Sequence, residues 1–309
     1  MNEARTCIKC EKPAIFHRRY SGESLCSNHF KESILEKTKR TIAKYGLLGY
    51  GDRIAVGVSG GKDSTSLLKI LSGICQEHHS EIHAITVDEG IPGYRDESLE
   101  YVHTVTEKLG VPLVVLSYQE LYGFTLEEAL ANRRMKISSC AMCGPLRRRA
   151  LDIGAKKVNA NVVATAHNLD DVLQTFYINL LSGDVDRIRW LTPSQKSKSD
   201  FATRRIKPFM EIYEDEIVLY AYLSDIPFQS IACPHSHEGI RSEIRAWLNL
   251  MESKHPGIKY SAFKTVLAIA DGLNLRKGKV VQTCRNCGMP STSPLCNVCQ
   301  TIQIVTPNR

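Results

Sequence analysis

Residues 53–68, with the sequence RIAVGVSGGKDSTSLL, decide the fold of this chain. The first part, Arg53–Val58, is a short run rich in β-branched residues, which is typical of a buried parallel strand. A glycine-rich segment, Ser59–Ser64, follows directly, and the apolar periodicity from Thr65 onward predicts a helix. Backbone N–H groups in such a turn, together with the positive end of the helix, bind anions. Since two serine hydroxyls and Lys62 add further donors, the stretch predicts a phosphate-binding loop.

The loop differs from a Walker A sequence. That motif requires a glycine five residues before Gly61 and Ser or Thr after the lysine, whereas this chain has Val56 and Asp63. SGGKDS after a strand resembles instead the pyrophosphate loop of the ATP pyrophosphatases, which transfer AMP to a substrate oxygen. The alternative is a glycine-rich turn that only joins strand to helix. The six specified residues between a predicted strand and a predicted helix favour an ATP site.

Composition limits the class of protein. The chain has 309 residues, 43% of them hydrophobic, which suits one sizeable α/β domain with small additions. It has no apolar run long enough to span a membrane and no apolar signal core, so we expect a soluble, cytoplasmic protein without a membrane partner. The formal net charge of +7 fits a polyanionic partner. Eleven cysteines would be many for a cytosolic chain unless they bind metal.

Two sets of metal-ligand residues lie at the ends of the chain. The N-terminal set is Cys7, Cys10, Cys26 and His29, and the C-terminal set is Cys284, Cys287, Cys296 and Cys299. Paired ligands two residues apart, separated by a short loop, are typical of tetrahedral zinc sites. We therefore predict two structural Zn²⁺ ions, because such small segments fold through the metal.

Between these ends, strands are predicted to alternate with helices, which favours a doubly wound parallel α/β sheet. The predicted units are an N-terminal zinc knuckle at 1–31, an ATP-pyrophosphatase catalytic domain with its linker helix at 32–235, a helical lobe at 236–279 and a C-terminal zinc ribbon at 280–309. Within the lobe, Trp247 and Leu250 fit packing better than catalysis.

The carboxyl ends of the predicted strands should meet at one edge, where ligands bind. The candidate ATP-binding residues there are Val58, Ser59, Gly60, Gly61, Lys62, Asp63, Ser64, Val87, Asp88 and His167. Asp170 and Asp171 suit either Mg²⁺ binding or a helix N-terminus, and Asp171 is the preferred metal ligand. Asp63, beside the phosphates, is a candidate metal ligand or loop organiser. His167 is a site residue or an ordinary strand-end histidine.

Three cysteines remain outside the zinc sets and outside Cys75, which fits a packed helix. Cys140 and Cys143 form a CxxC pair among basic residues, just before a helix predicted to begin near Pro145, and Cys233 lies far downstream. Three roles are open. The cysteines could bind three irons of a [4Fe–4S] cluster, carry sulfur as persulfide, or bind zinc together with His235.

Basic residues recur along the same region and predict a phosphate-contacting track if they share the face of the strand ends, rather than an ordinary solvated surface. They are Arg133, Arg134, Lys136, Arg147, Arg148, Arg149, Arg187, Arg189, Arg204, Arg205, Lys207, Arg241 and Arg245.

The sequences SGGKDS (59–64), CAMCG (140–144), HNLDD (167–171) and Cys233-Pro234 together resemble the tRNA 2-thiolation enzymes. The zinc knuckles at both ends are similar to those of the two-thiouridine synthetases and the cytoplasmic wobble-uridine thiolases of archaea and eukaryotes. Residues 87–100, VDEGIPGYRDESLE, and 116–125, LSYQELYGFT, resemble the wobble-uridine branch most. The resemblance covers essentially the whole chain.

The resemblance implies a mechanism. ATP·Mg²⁺ binds the loop, uridine O2 attacks the α-phosphate, pyrophosphate leaves, and sulfur then displaces AMP. It implies that Cys140, Cys143 and Cys233 hold a [4Fe–4S] cluster, although a persulfide relay would use the same cysteines. Asp171 matches the essential acid of the family, and with Asp63 completes the expected catalytic set. A lysine that some relatives carry after the CxxC is Arg147 here, which is too basic to accept a proton.

The implied partners are tRNA and a sulfur donor, either sulfide or a ubiquitin-like carrier with a C-terminal thiocarboxylate. A homodimer or a hetero-partner of the same family is also implied. The alternative functions are thiolation of a T-loop uridine, an ATP-pyrophosphatase amide ligase that uses ammonia, and a non-enzymatic zinc-ribbon protein that binds RNA.

Overall fold

A six-stranded sheet forms the centre of the protein, whose computed structural model describes residues 5–133, 137–195, 203–274 and 282–306. The strands in chain order are β1 Phe16–Arg18, β2 Glu23–Leu25, β3 Arg53–Gly57, β4 Glu81–Asp88, β5 Leu113–Ser117, β6 Val162–Ala164, β7 Ser194–Gln195, β8 Arg204–Ile206, β9 Gln282–Thr283 and β10 Pro290–Ser291. The helices are α1 Ser27–Tyr45, α2 Lys62–His78, α3 Tyr94–Leu109, α4 Tyr118–Tyr122, α5 Leu126–Ala131, α6 Ser139–Lys157, α7 Leu169–Leu181, α8 Val185–Ile188, α9 Glu214–Leu223, α10 Arg241–Lys254, α11 Ile258–Asn274 and α12 Asn297–Val305, with a 3-10 turn at Pro234–His237.

The strand order is β5-β4-β3-β6-β8-β7, and every neighbouring pair is parallel except β7 with β8. The chain runs from β3 outward to β5 and then returns to the other side of β3 with β6. The order therefore reverses between β3 and β6, and a crevice for ligands forms at such a reversal. This arrangement confirms the predicted α/β fold and adds an antiparallel edge strand, β7, that was not predicted.

Helices cover both faces of the sheet because its central strands are apolar on both sides. In β3, Ile54 and Val56 pack with α1, α2 and α9, whereas Ala55 packs with α6 on the opposite face. A third apolar cluster joins α7 to α10 and α11, so the helices predicted as a lobe lie against the helix that follows β6. No helix in the described part of the chain is long and apolar enough to cross a membrane.

Helix α6 begins earlier than predicted. The hydroxyl of Ser138 accepts a hydrogen bond from the backbone N–H of Ala141 at 3.3 Å and caps the helix, so its first residue is Ser139 rather than one near Pro145. Pro145 lies inside the helix, where it has no N–H to donate to the preceding turn. Both cysteines of the CxxC pair consequently lie in the first two turns of α6.

Candidate active site

The loop between β3 and α2 is held in one conformation by its own residues. The hydroxyl of Ser64 accepts from the backbone N–H of Ser59 at 3.1 Å and donates to the carbonyl of Gly61 at 3.0 Å. Gly60 has φ +87°, and a Cβ there would lie 2.5 Å from the backbone oxygen of Ser98 on α3. Only glycine fits this left-handed, crowded position. The loop is therefore preorganised for an anion at the N-terminus of α2.

The lysine of the loop is held by two carboxylates. The ammonium of Lys62 donates to Asp63 and to Glu214 of α9, both at 2.9 Å. Burial opposes its charge, but these carboxylates outweigh burial and raise the pKa of Lys62. Asp63 also accepts from the side-chain amide of Asn168 at 3.2 Å, which connects the loop to the N-terminus of α7. The loops after β3 and β6 thus meet as predicted.

The two aspartates at the start of α7 have different environments. Asp170 is buried, forms an ion pair with Lys259 and accepts from the backbone N–H of Glu214 at 2.8 Å. Asp171 instead exchanges hydrogen bonds with Asn168, which is the N-cap of the helix. Burial, with the nearby charge of Asp63, raises the pKa of Asp171 to about 6. Two carboxyl groups that oppose each other's ionisation are suited to share a cation.

The remaining predicted ATP-site residues lie at the same strand ends. Val58 donates from its backbone N–H to the carbonyl of Ile85 at 2.8 Å, and Val87 is buried. The carboxylate of Asp88 accepts from the backbone N–H of Gly90 at 2.8 Å, which closes the turn after β4. These residues shape the wall of the crevice on the β4 side.

A buried carboxylate that sequence reasoning missed connects the loop to the CxxC helix. Glu89 forms ion pairs with Arg95 at 3.0 Å and with Arg147 of α6 at 2.8 Å. Arg95 also donates to the carbonyl of Ser59 at 3.1 Å, and Arg147 donates to the sulfur of Cys143 at 3.3 Å. An arginine in this position acts as a fixed cation that no proton transfer would change. The only feature of the sequence that could have indicated a role for Glu89 was its position as an acidic residue at a predicted strand end.

The three cysteines outside the zinc sets share one region. Cys143 and Cys233 belong to the same apolar cluster, and Cys140 is exposed on the first turn of α6. The sulfur of Cys143 lies 3.3 Å from the hydroxyl of Tyr118 in addition to its bond from Arg147. Burial raises the pKa of Cys233. Directed donors around a buried sulfur are the outer-shell contacts that thiolate ligands of clusters need.

The zinc interpretation of these three cysteines is not supported. Only the two terminal sets form groups of ligand atoms within 4.8 Å of one another among the described residues. His235, the suggested fourth ligand, hydrogen-bonds Glu127 at 2.7 Å instead. Ligands of a four-iron cluster bind different irons, so their sulfurs stand farther apart than the ligands of a single zinc ion. The lack of a zinc-like group at these three described cysteines is therefore compatible with the cluster.

The terminal sets have zinc geometry. A tetrahedral zinc ion with Zn–S of about 2.3 Å and Zn–N of about 2.0 Å places neighbouring ligand atoms roughly 3.5–3.8 Å apart. In the N-terminal set, the sulfurs of Cys10 and Cys26 are 3.7 Å apart, and the sulfur of Cys26 is 3.4 Å from Nδ1 of His29. In the C-terminal set, Cys287 and Cys296 are 3.6 Å apart. Both sets therefore fit zinc.

Comparisons with known proteins identify the family of the chain. Residues 31–250 match the family model of the PP-loop domain, and residues 6–31 match the N-terminal LIM domain of the 2-thiouridine synthetase TtuA. Cytoplasmic tRNA 2-thiolation protein 1 of Danio rerio is 38% identical over 300 residues, which cover 95% of this chain and 86% of that protein. The chain belongs to the tRNA 2-thiolation family of PP-loop proteins.

Two further members of the tRNA 2-thiolation family extend the likeness over the chain. The protein of the same name from Laccaria bicolor is 34% identical over 307 residues, with 97% of this chain and 85% of that protein covered. The U34-tRNA thiolase NcsA from Methanococcus maripaludis, solved with its [4Fe-4S] cluster, superposes with a TM-score of 0.83 at 31% identity, covering 97% of this chain and 96% of NcsA. The family predicted from the motifs is confirmed.

In this member of the tRNA 2-thiolation family, the C-terminal ribbon is attached to the CxxC helix. Arg149 of α6 donates to the sulfur of Cys287 at 3.6 Å and to that of Cys296 at 3.4 Å. Helix α12 packs on α6, and the ribbon cysteines belong to the same apolar cluster as Cys143. The charge of Arg149 compensates thiolates, so the C-terminal ligand set and the CxxC helix support one another.

The predicted basic track separates into two groups. In one group each guanidinium is already paired with a carboxylate or thiolate; these residues are Arg133, Arg147, Arg149, Arg187, Arg189, Arg204, Arg245 and also Arg205, which pairs with Asp152 at 2.8 Å. The other group surrounds His167, whose imidazole is open to solvent and hydrogen-bonds Thr165 at 2.9 Å. The surrounding protein and the charges of Lys207, Arg241, Arg148 and Arg205 lower the pKa of His167. Arg134 and Lys136 lie outside the described residues.

Proposed function

We propose that this chain converts uridine in tRNA to 2-thiouridine, at the wobble position. The observation that carries the proposal is the Glu89 connection, which ties the phosphate loop through Arg95 to the helix of the CxxC pair through Arg147. Adenylation of O2 and attack of sulfur on C2 must occur on the same uridine, so their two sites must adjoin. The 31% identity with a U34-tRNA thiolase over nearly the whole chain supports the wobble position.

ATP binds with its phosphates on the loop from Ser59 to Ser64, at the N-terminus of α2. Lys62 donates to Asp63 and Glu214, and phosphate oxygens on the loop would compete for the same ammonium. Asp63 and Asp171 would hold Mg²⁺ at the phosphates, since carboxylate oxygens suit this ion. The uridine O2 attacks the α-phosphorus, pyrophosphate leaves, and C2 acquires AMP as a leaving group.

Sulfur then replaces the oxygen at C2. Sulfide attacks C2, the bond from C2 to the adenylated oxygen breaks, and AMP leaves with both bonding electrons. Cys140, Cys143 and Cys233 are the residues that would hold the [4Fe–4S] cluster. The hydrogen bond that Arg147 donates to the sulfur of Cys143 supports this assignment, as does the Tyr118 hydroxyl that lies 3.3 Å from the same sulfur. When bound, such a cluster supplies sulfur through the iron that no cysteine ligates. A persulfide on the same cysteines is the competing route.

The partners follow from this chemistry. The substrate is tRNA in the cytoplasm, which the group of cations around His167 attracts. The sulfur donor is sulfide or a ubiquitin-like carrier with a C-terminal thiocarboxylate, and the protein acts as a homodimer or with a second family member. Two Zn²⁺ ions fold the terminal knuckle and ribbon, as the ligand distances at both ends support.

The decisive test is anaerobic reconstitution. Wild-type protein should carry iron, labile sulfide and zinc, release pyrophosphate when given ATP and tRNA, and form 2-thiouridine with sulfide, as measured by mass spectrometry of digested tRNA. Cys140→Ser should abolish 2-thiouridine while retaining tRNA binding and zinc. Cys75→Ser is the matched control, because this cysteine is buried in α2 away from the site.

Four outcomes separate the alternatives. Thiolation by iron-free protein that still requires Cys140, and that needs a sulfane-sulfur donor in place of sulfide, would replace the cluster with a persulfide relay. Undiminished 2-thiouridine from Cys140→Ser would refute the cysteine assignment. Thiolation of a tRNA whose wobble uridine has been changed to cytidine would move the reaction to the T-loop. Pyrophosphate release with ammonia but no sulfur in the product would indicate an amide ligase.

A further inference from the structure

Helices α7 and α10 present an aromatic surface that the reaction above does not use. Trp247 of α10 lies edge-to-face with Tyr177 of α7, with ring centroids 5.0 Å apart and planes at 83°, and Tyr177 lies likewise against Phe176 at 5.4 Å and 75°. We call these three residues the aromatic platform. Trp247 is 46% exposed, which contradicts its predicted role in packing.

Packing of α10 does not require this tryptophan. Ile244 and Leu248 bury the inner side of the helix against the α7 cluster, whereas Trp247 and Leu250 face outward, Leu250 with 51% exposure. In an edge-to-face pair Tyr177 covers at most one face of the indole. At least one face of the Trp247 indole therefore has no aromatic partner in this pair, although Trp247 is the largest apolar side chain of the helix.

The platform lies close to the adenylation site. Tyr177 follows Asp171 by six residues on α7, which is about 9 Å along the helix axis. Between them, Arg241 of α10 donates to Gln174 at 3.1 Å and to Thr175 at 3.3 Å, so the two helices are joined at the turn that separates the platform from the aspartate. Helix α7, which carries Tyr177, follows β6, and β6 lies on the other side of β3 from β4.

Charge indicates the kind of ligand. Arg241 lies near enough to Asp171 and His167 to act on both electrostatically, and Arg245 approaches Glu214 at 4.0 Å. A flat aromatic surface beside cations suits a ligand that combines planar rings with phosphates, and unpaired nucleotides of an RNA loop are such a ligand. A second protein chain would gain less binding free energy at this surface than RNA, because it would remove the hydration of these cations without supplying phosphates in its place.

We propose that the aromatic platform stacks an unpaired base that neighbours the target uridine, and so splays the loop to bring the uridine to the adenylation site. This inference rests on the proposed function, since it presumes a single-stranded RNA loop as substrate. Stacking is tolerant of base identity because every base has a π face. The platform would therefore admit several anticodon loops while requiring that the base beside the uridine be unpaired.

Fluorescence of Trp247 tests the contact directly. The chain has two tryptophans, so Trp190→Phe leaves Trp247 as the reporter. We expect an RNA stem-loop carrying the wobble uridine to quench this fluorescence, whereas a duplex of the same stem should not. Abasic sites introduced one at a time on either side of the uridine should abolish quenching at one of the two positions. Absence of quenching by a stem-loop that binds with normal affinity would overturn the proposal.

Variants measure the strength of the contact. Trp247→Ala should weaken stem-loop binding about tenfold, equivalent to about 1.4 kcal/mol, with Trp247→Phe recovering most of the affinity. Leu250→Ala, one turn away on the same exposed side, is the control and should bind normally. ATP binding without RNA should be unchanged in all three. Unchanged RNA affinity in Trp247→Ala refutes the platform.

Sedimentation of the same variants tests whether a second copy of the chain, rather than RNA, covers the platform. If Trp247→Ala converts a dimer to a monomer, the surface is a contact between copies of the chain and the RNA proposal is wrong. The proposed function and the platform are rejected by different results. Quenching by a stem-loop that is never thiolated would retain the platform and reject the function, whereas normal thiolation by Trp247→Ala with unaltered affinity would reject the platform alone.

Discussion

Glu216 offers the sharpest test of what holds the N-terminal knuckle to the catalytic domain. Its carboxylate accepts from Arg18 of the knuckle hairpin at 2.6 Å, from Lys37 of α1 at 2.8 Å and from the hydroxyl of Tyr20 at 2.8 Å. The side chains of Glu216 and Arg18 are 1% and 2% exposed, and that of Lys37 is 13% exposed. Water therefore cannot replace the carboxylate if it is removed.

Glu216→Gln keeps the shape of the side chain but removes its charge. Removing one partner of a buried ion pair costs about 3–5 kcal/mol, because the other charge stays buried. Arg18 retains Glu23 as a second partner, whereas Lys37 loses its carboxylate. We therefore expect the free energy of unfolding to fall by about 3 kcal/mol, at the lower end of that range.

Urea unfolding of the zinc-loaded protein, followed by circular dichroism, measures this change as a shift of the midpoint at constant slope. Glu77→Gln is the matched control. Glu77 of α2 pairs with Lys39 at 2.9 Å, and Lys39 lies on α1 like Lys37. Both side chains of this pair are partly or largely exposed, so little change in the free energy of unfolding is expected. Equal midpoints for the two variants, or a Glu216→Gln protein as stable as wild type, would refute the burial argument.

Arg149→Ala should weaken zinc binding by the C-terminal ribbon about tenfold or more, because outer-shell partners of metal ligands have effects of that size, and chelator competition measures it. Arg148→Ala is its control; equal zinc affinity in both would show that the thiolate contacts are incidental. Gly60→Ala should cost more than about 1 kcal/mol in urea unfolding, since its Cβ would lie 2.5 Å from a backbone oxygen. Gly61→Ala, with its nearest neighbour at 3.7 Å, should cost clearly less, and similar losses would contradict the crowding. Burial lowers the pKa of Lys207 to about 8 in the folded protein. The unfolded chain then binds more protons above pH 8, so stability relative to Lys207→Met should rise between pH 8 and 9 by up to about 1.4 kcal/mol, and a flat difference would contradict this.

Prediction from sequence succeeded where a function depends on neighbours along the chain. The phosphate loop follows from a strand, two glycines and a helix start within residues 53–68, and the structure places that loop at the reversal of strand order. The zinc ligands also follow from local spacing, since two residues between ligands place both on one turn of the backbone. Their distances in the structure fit zinc without any adjustment.

Prediction failed where a helix start depends on the energy of capping, or where the role of a side chain depends on how far it is exposed. Pro145 suggested a helix start, but the cap at Ser138 begins the helix a turn and a half earlier and places both cysteines on it. Trp247 looked like a packing residue because it is large and apolar, yet Ile244 and Leu248 already fill the buried side of α10. The edge strand β7 and its neighbour β8 carry polar and basic residues and gave no apolar signal.

The sequence alone indicated the family, the α/β fold, the phosphate loop and both sets of ligand residues that fit zinc, because each is encoded within a few consecutive turns. Only the tertiary structure decided which charges act together. Lys62 meets Glu214 across 152 positions of the chain, and Glu89 joins Arg95 to Arg147 between the loop and the CxxC helix. Such pairs form because packing of the sheet and helices brings the side chains together, and no local pattern records which distant partner packing will supply.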